Sequence, residues 1–152
     1  MGSLYRSAHE DIHVFKHGSA PARNNIELGK WGRNRTNVLH YPGVMTSGGR
    51  KKAPALHPTV KNVALIADLM LDASAEGDLI LDSFGGSGTT MIAAEKVGRR
   101  ACLCELSPSY VDTALRRWSG LGVSDPILEV TGQPYRAVAE ERSREGGNGE
   151  AA

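Results

Sequence analysis

The sequence predicts an α/β fold, a doubly wound and largely parallel sheet of the kind that binds nucleotides beyond the carboxyl ends of its strands. Three observations within residues 78–105 predict it. Leu79-Ile80-Leu81 is a short apolar run of β character. A glycine-rich turn from Phe84 to Gly88 follows, and Thr89 and Thr90 lead into Met91 to Lys96, helix-forming sequence that Gly98 ends. Ala101 to Cys104 is a second apolar run, and it stops on an acid, Glu105. Strand, glycine turn, helix, strand and acid form the order of a βαβ unit.

Each part has a physical reason. Parallel strands cannot be joined by a tight turn, and a helix supplies the crossover. Glycines carry no Cβ, so a ligand can lie close to their backbone. The helix N-terminus at Thr89 leaves N–H groups without intrahelical partners. A carboxylate at Glu105, beyond the second strand, can accept from both hydroxyls of a ribose. The common cofactors fit less well. Gly86-Ser87-Gly88 matches two glycines of the dinucleotide fingerprint, but Met91 stands at the third position. A phosphate-binding loop needs lysine after its glycine, and Thr89 follows Gly88. Asp82 in the turn region would repel a pyrophosphate, whereas a cofactor with a cationic centre and an amino group tolerates it. S-adenosylmethionine meets these requirements. The plain alternative is a turn that merely connects two elements, and the pairing of Asp82 with Glu105 weighs against it.

At 152 residues the chain has the size of one domain. Its net charge of +1 carries no global signature of nucleic-acid binding. Cys102 and Cys104, the only cysteines, fall on one face of a strand. That is poor geometry for a disulfide, so reduced, buried thiols in a cytoplasmic protein are expected. A pair of cysteines is also too few ligands for a zinc site. No apolar run approaches membrane-spanning length, and no signal peptide is visible.

Taken from the N-terminus, residues 5–17 read as a strand that Gly18 ends, with Ile12 and Val14 alternating. His9, His13 and His17 recur every fourth residue, but in a β-like segment that spacing makes no metal face. Residues 18–55 are rich in Gly, Pro, Asn and Arg and read as loop. Lys30, Trp31, Arg33, Arg35, Arg50, Lys51 and Lys52, with Tyr41 among them, make this loop basic and aromatic. Such a loop either contacts phosphates and stacks on bases or is simply solvated, and both readings stand here. Residues 57–72 are predicted helix, with Pro58 in the first turn and Val63, Ile66, Ala67 and Met70 at helical spacing. Pro108 opens another helix with Ser107 at the N-cap, and Tyr110, Val111, Ala114, Leu115 and Trp118 form its buried stripe. Arg116 and Arg117 read as its solvated face. Residues 119–125 are a turn, Ile127 to Val130 a final strand, and residues 138–152 a charged, Gly-rich tail expected to be disordered.

These residues carry a family resemblance. DSFGGSGTT, from Asp82 to Thr90, resembles the D-P-F-x-G-S-G-T-T cofactor motif of the N4/N6 amino-methylating DNA methyltransferases. HPTVKNVALIADLML upstream, GRRACLCELSPSYVDTALRRW downstream, and YRSAHEDIHVFKHG nearer the start resemble the flanking segments of that family. Four motifs in family order cover most of residues 5–118, closest to the branch whose catalytic motif precedes the cofactor motif, ParB-fused methylases included.

The resemblance implies a Rossmann-like methyltransferase fold, incomplete because part of the sheet is missing. It divides residues 5–135 into a strand region (5–18), a basic loop (19–55) and a cofactor-binding half (56–135). It implies S-adenosyl-L-methionine held by His57, Thr59, Lys61, Asp82, Phe84, Gly86, Ser87, Gly88, Thr89 and Glu105. His57, Thr59 and Lys61 would approach the methionine end, with Thr59 bonding the carboxylate beside a helix N-terminus. Phe84 would cover the cofactor or pack in the core. Asn62 and Ser83 stand where the family carries prolines. The implied reaction is methyl transfer to an amino group of adenine or cytosine in double-stranded DNA, in a bacterial or phage-type intracellular setting.

The family holds its target amine with a short D/N/S-P-P-aromatic motif. No proline of this chain has a proline neighbour, so the chain resembles the C-terminal half without the catalytic motif. No catalytic residue is named, and no turnover is expected of the chain alone. A partner carrying the other half, or self-association through an open sheet edge, is expected. The alternatives are a non-catalytic S-adenosylmethionine-binding or interaction module, and a nicotinamide- or nucleotide-binding protein, which Met91 disfavours.

Overall fold

The βαβ unit forms where the apolar runs place it. In a computed structural model, which describes residues 4, 9–20, 22–42 and 60–147, β1 spans Leu79–Asp82, α2 spans Thr89–Lys96 and β2 spans Arg100–Leu103. The two strands pair in parallel, Leu79 opposite Arg100 and Asp82 opposite Leu103. Helix α2 ends in a Schellman arrangement. Gly98 takes φ +69°, its N–H donates to the Glu95 carbonyl at 3.3 Å and that of Arg99 to the Ala94 carbonyl at 2.8 Å.

Helix α1, Val63–Ala73, packs against α2. Ala67 and Met70 meet Ala93 and Ala94, with Ile80 and Ala101 from the sheet packed against them. The expected helix over 57–72 is therefore corrected at its start. Asn62 is the N-cap, and its side chain accepts the Ala64 N–H at 2.8 Å. Pro58 and Thr59 lie outside the described residues, and α1 begins at Val63. The periodic residues Val63, Ile66, Ala67 and Met70 all fall inside α1.

The strands alternate between faces. Ile80, Asp82, Ala101 and Leu103 are part-buried, while Leu79, Leu81, Arg100 and Cys102 are exposed. Helices cover the first face, whereas Leu79 is 61% and Leu81 67% exposed on the second. This corrects one expectation about the thiols. Cys102 and Cys104 share a face and are unpaired, but both are exposed, since among the described residues no helix covers that face.

Three further expectations are corrected. Residues 9–18 form no strand: among the described residues they have no neighbouring strand to pair with, and Val14 and Phe15 are exposed. Residues 5–8 lie outside the described residues. The final strand shrinks to β3, Ile127–Leu128, which pairs antiparallel with β4, Gln133–Pro134, in a small separate hairpin. Within the tail, residues 138–147 lie in helix α4, Tyr135–Gly147, rather than in irregular chain, and residues 148–152 lie outside the described residues. Ala, Glu and Arg favour helix intrinsically, and Arg144 reaches Glu140 one turn away at 3.8 Å.

Irregular residues 22–42 are tied to α1 by polar contacts. Asn25 Nδ2 donates to the carbonyls of Leu71 at 2.7 Å and Ser74 at 2.8 Å. Arg35 pairs with Asp72 at 2.7 Å. Tyr41 donates to Asp68, and that carboxylate raises the phenol's pKa. Arg99 binds the same α1 terminus, reaching the Ser74 carbonyl at 2.8 Å. Helix α3, Pro108–Ser119, sets Ala114 against the turn before α2.

Candidate functional site: a cleft beyond the two parallel strands

A cleft of about 330 Å³ opens beyond the carboxyl ends of β1 and β2. Its floor is the turn between Asp82 and Thr89, and a web of hydrogen bonds holds that turn. Asp82 is the last residue of β1. Its carboxylate accepts the Phe84 N–H at 3.0 Å and the Thr90 hydroxyl at 2.6 Å. The Gly85 N–H donates to the Cys104 carbonyl at 2.8 Å, and that of Gly88 to the Gly85 carbonyl at 2.9 Å. Without proline at Ser83, Asp82 thus supplies the turn constraint through an Asx-type bond.

Glu105 lies just beyond β2. One carboxylate oxygen accepts the Ser107 N–H at 2.8 Å and the other the Gly86 N–H at 2.7 Å. These two amides, that of Ser107 first, lower the carboxyl's pKa below its ordinary range. Ser107 sits at the N-cap of α3 as its sequence predicts, yet its hydroxyl makes no capping bond and meets Ser109 instead.

The cleft brings together seven of the ten expected cofactor residues: Lys61, Asp82, Phe84, Gly86, Ser87, Thr89 and Glu105. Phe84 is 90% exposed, so the core-packing alternative is removed. Lys61 pairs with Glu10 at the rim. The two glycines of the Gly-Ser-Gly run differ. A Cβ on Gly86 would meet only the Phe84 carbonyl, at 3.8 Å, whereas one on Gly88 would stand 2.7 Å from the Ala114 Cβ. Gly88 therefore faces α3. His57 and Thr59 lie outside the described residues.

Gly85, Thr90 and Tyr110 also line the cleft, though the sequence reading assigned them no site role. Arg117 is the larger omission. It is not part of a solvated face: it donates to the Ser87 carbonyl at 2.5 Å and to the Ser87 hydroxyl at 2.9 Å. Its spacing of one helical turn from Ala114 is the signal that it faces the same way.

The basic loop residues stand elsewhere. Lys30 and Arg33 both pair with Glu27, at 3.0 and 2.9 Å, and Arg35 with Asp72. Trp31 is 83% exposed in a left-handed backbone conformation, φ 59°. None of the four lines the cleft, and Arg50, Lys51 and Lys52 lie outside the described residues. Among the described residues no helix is long and apolar enough to cross a membrane.

A cleft at the carboxyl ends of a parallel strand pair, floored by a glycine turn and flanked by two carboxylates, has the form of the sites at which such sheets bind nucleotide-type cofactors. The family follows from comparison: residues 5–116 match the family model described as DNA methylase, and the chain belongs to that family. It is 31% identical over 117 residues to the type II methyltransferase M2.MboI of Moraxella bovis, covering 75% of this chain and 41% of that protein. It is 32% identical over 104 residues to M.ScaI of Streptomyces caespitosus, covering 67% and 34%. The chain thus spans about two fifths or less of these relatives' length. Among solved structures, the M1.HpyAVI–SAM complex aligns at 26% identity over 56% of this chain and 42% of that one, TM-score 0.41. The cytosine-N4-specific PvuII DNA methyltransferase aligns at 31% identity over 42% and 23%, TM-score 0.41.

Proposed function

We propose that this chain binds S-adenosyl-L-methionine in the cleft beyond β1 and β2, as the cofactor-binding part of a methyltransferase acting on an amino group of adenine or cytosine in DNA. The observation that carries the reading is the placement of Asp82 and Glu105 on either side of one glycine turn, in one cleft. The residues suit the cofactor. Glu105 suits ribose hydroxyls, and Asp82 suits a cationic sulfonium or amino group. The Cβ-free side of Gly86 leaves room for the ligand, and Phe84 offers an exposed ring to it. Bound there, the cofactor would supply an electrophilic methyl group for the amine. Lys61 is the described member of the upstream segment that would approach its methionine end, with His57 and Thr59.

The substrate would be double-stranded DNA. The exposed Trp31 ring favours a stacking role, while Lys30, Arg33 and Arg35 would have to leave carboxylate partners to reach phosphates. Arg50, Lys51 and Lys52 are further candidates for that contact. No catalytic residue is assigned. The open sheet face, with Leu79 and Leu81, favours a second polypeptide or a second copy completing the domain. The same face supports the second reading, a non-catalytic binding or interaction module.

Calorimetric titration with S-adenosylmethionine, with NAD as control, tests the reading. Binding that disappears in Asp82→Ala and Glu105→Ala supports it. A folded chain that takes up neither compound, or NAD alone, counts against it.

A further inference from the structure

We infer that Arg117 is a positioning residue for the cofactor turn. Its guanidinium clamps Ser87 from below, so that the turn's other side presents the ligand-facing backbone. The inference rests on the cofactor reading above but extends to a residue outside the cofactor motif.

The geometry is specific. Nη1 reaches the Ser87 carbonyl at 2.5 Å, the Ser87 hydroxyl at 2.9 Å and the Thr89 hydroxyl at 3.4 Å. The peptide joining Ser87 to Gly88 is thereby held at both ends, its carbonyl by Arg117 and its N–H by the Gly85 carbonyl at 2.9 Å. A peptide held at both ends cannot flip, and such a flip would redirect the amides at the start of α2. Ser87 and Thr89 are buried and both line the cleft, so the clamp lies directly behind the ligand surface.

The choice of charge needs explanation. Arg117 makes no ion pair among the described residues, and burial lowers its pKa. It also stands at the N-terminal end of α2, where the helix dipole is already positive. For stability alone an apolar side chain would cost less. What the charge supplies is a strong donor: Nη1, with its two N–H groups, is aimed at the Ser87 carbonyl and hydroxyl, with the Thr89 hydroxyl farther off. Its neighbour Arg116 offers the contrast, pairing with Asp112 in solvent.

The test compares Arg117→Met, Arg117→Lys and the control Arg116→Met. The readouts are calorimetric binding of S-adenosylmethionine and hydrogen exchange of amides without ligand. Hydrogen bonds from charged donors are worth enough that Arg117→Met should bind about 10- to 100-fold more weakly. Its amides from Gly85 to Thr90 should exchange faster while those of α1 stay at wild-type rates. Arg117→Lys should recover part of both, and Arg116→Met should match the wild type. Uniformly faster exchange in Arg117→Met, or affinity and turn exchange within twofold of wild type, overturns the inference. If the wild type binds no cofactor, the cofactor reading falls, and the exchange of residues 85–90 still decides whether Arg117 holds the turn.

Discussion

Replacing Gly88 by alanine tests whether this glycine is required by helix packing or by the ligand. Two costs add. Gly88 has φ +77°, where an L-residue loses about 1 kcal/mol or more. Its new Cβ would stand 2.7 Å from the Ala114 Cβ, closer than real Cβ contacts come, and 3.2 Å from the Ala114 Cα, a tight approach. Overpacking of this kind costs about 1–3 kcal/mol. The expected loss is therefore about 2–4 kcal/mol, a large part of the roughly 5–15 kcal/mol that holds a domain together. Urea unfolding of the wild type, Gly88→Ala, Ala114→Gly and the double variant measures it. Ala114→Gly alone should cost about 1 kcal/mol, as glycine does within a helix. The double variant should lose less than the two single losses combined, by about 1–3 kcal/mol, because the clash with the Ala114 Cβ vanishes while the tight approach to its Cα and the strain of positive φ remain. A loss below about 1 kcal/mol in Gly88→Ala, or strict additivity in the cycle, would refute the reasoning.

Two other outcomes are expected. Glu105 has its carboxyl pKa lowered by the N–H groups of Ser107 and Gly86, so it supports the fold while ionised, above its ordinary value of 4.5. That support fades as pH drops below this value towards the lower folded-state pKa. Glu105→Gln should therefore show a shallower loss of stability than the wild type across this acid range, and parallel acid-unfolding profiles would contradict the assignment. Cys102 and Cys104 are both unpaired and exposed, so a thiol reagent should modify both without denaturant, and a modified count below two would show that this sheet face is covered in solution.

The βαβ unit was legible because its signals are local. The apolar runs, Gly98 at the C′ position and the acid after β2 each act within a few residues, and no distant partner overrides them. The two carboxylates of the cleft were legible for the same reason, since Asp82 ends β1 and Glu105 lies two residues beyond the end of β2. What the sequence left hidden depends on neighbours. A strand needs an edge to pair with, so the alternation around Ile12 and Val14 produced none here. Burial of Cys102 depends on whether a helix covers its face, which strand periodicity does not say. Arg117 was misplaced because charge was read as exposure, whereas its distance from Ala114 along the helix already pointed it toward Ser87. The helical tail had a local signal too, in its Ala, Glu and Arg content, but charge and glycine content were weighed above it.

The two bonds that Glu105 makes have a consequence for the entropy of recognition. A flexible acid in a cleft loses its rotamer freedom when a ligand arrives, and affinity suffers by that amount. Here one oxygen is held by Gly86 and the other by Ser107, so the side chain is immobilised when the chain folds. An ionised carboxylate offers about four acceptor sites, and two bonds leave the remainder free. A vicinal diol can therefore bind without breaking either bond and without ordering the acid. The freedom is surrendered in folding, and recognition of a diol there would begin from a carboxylate that is already aimed.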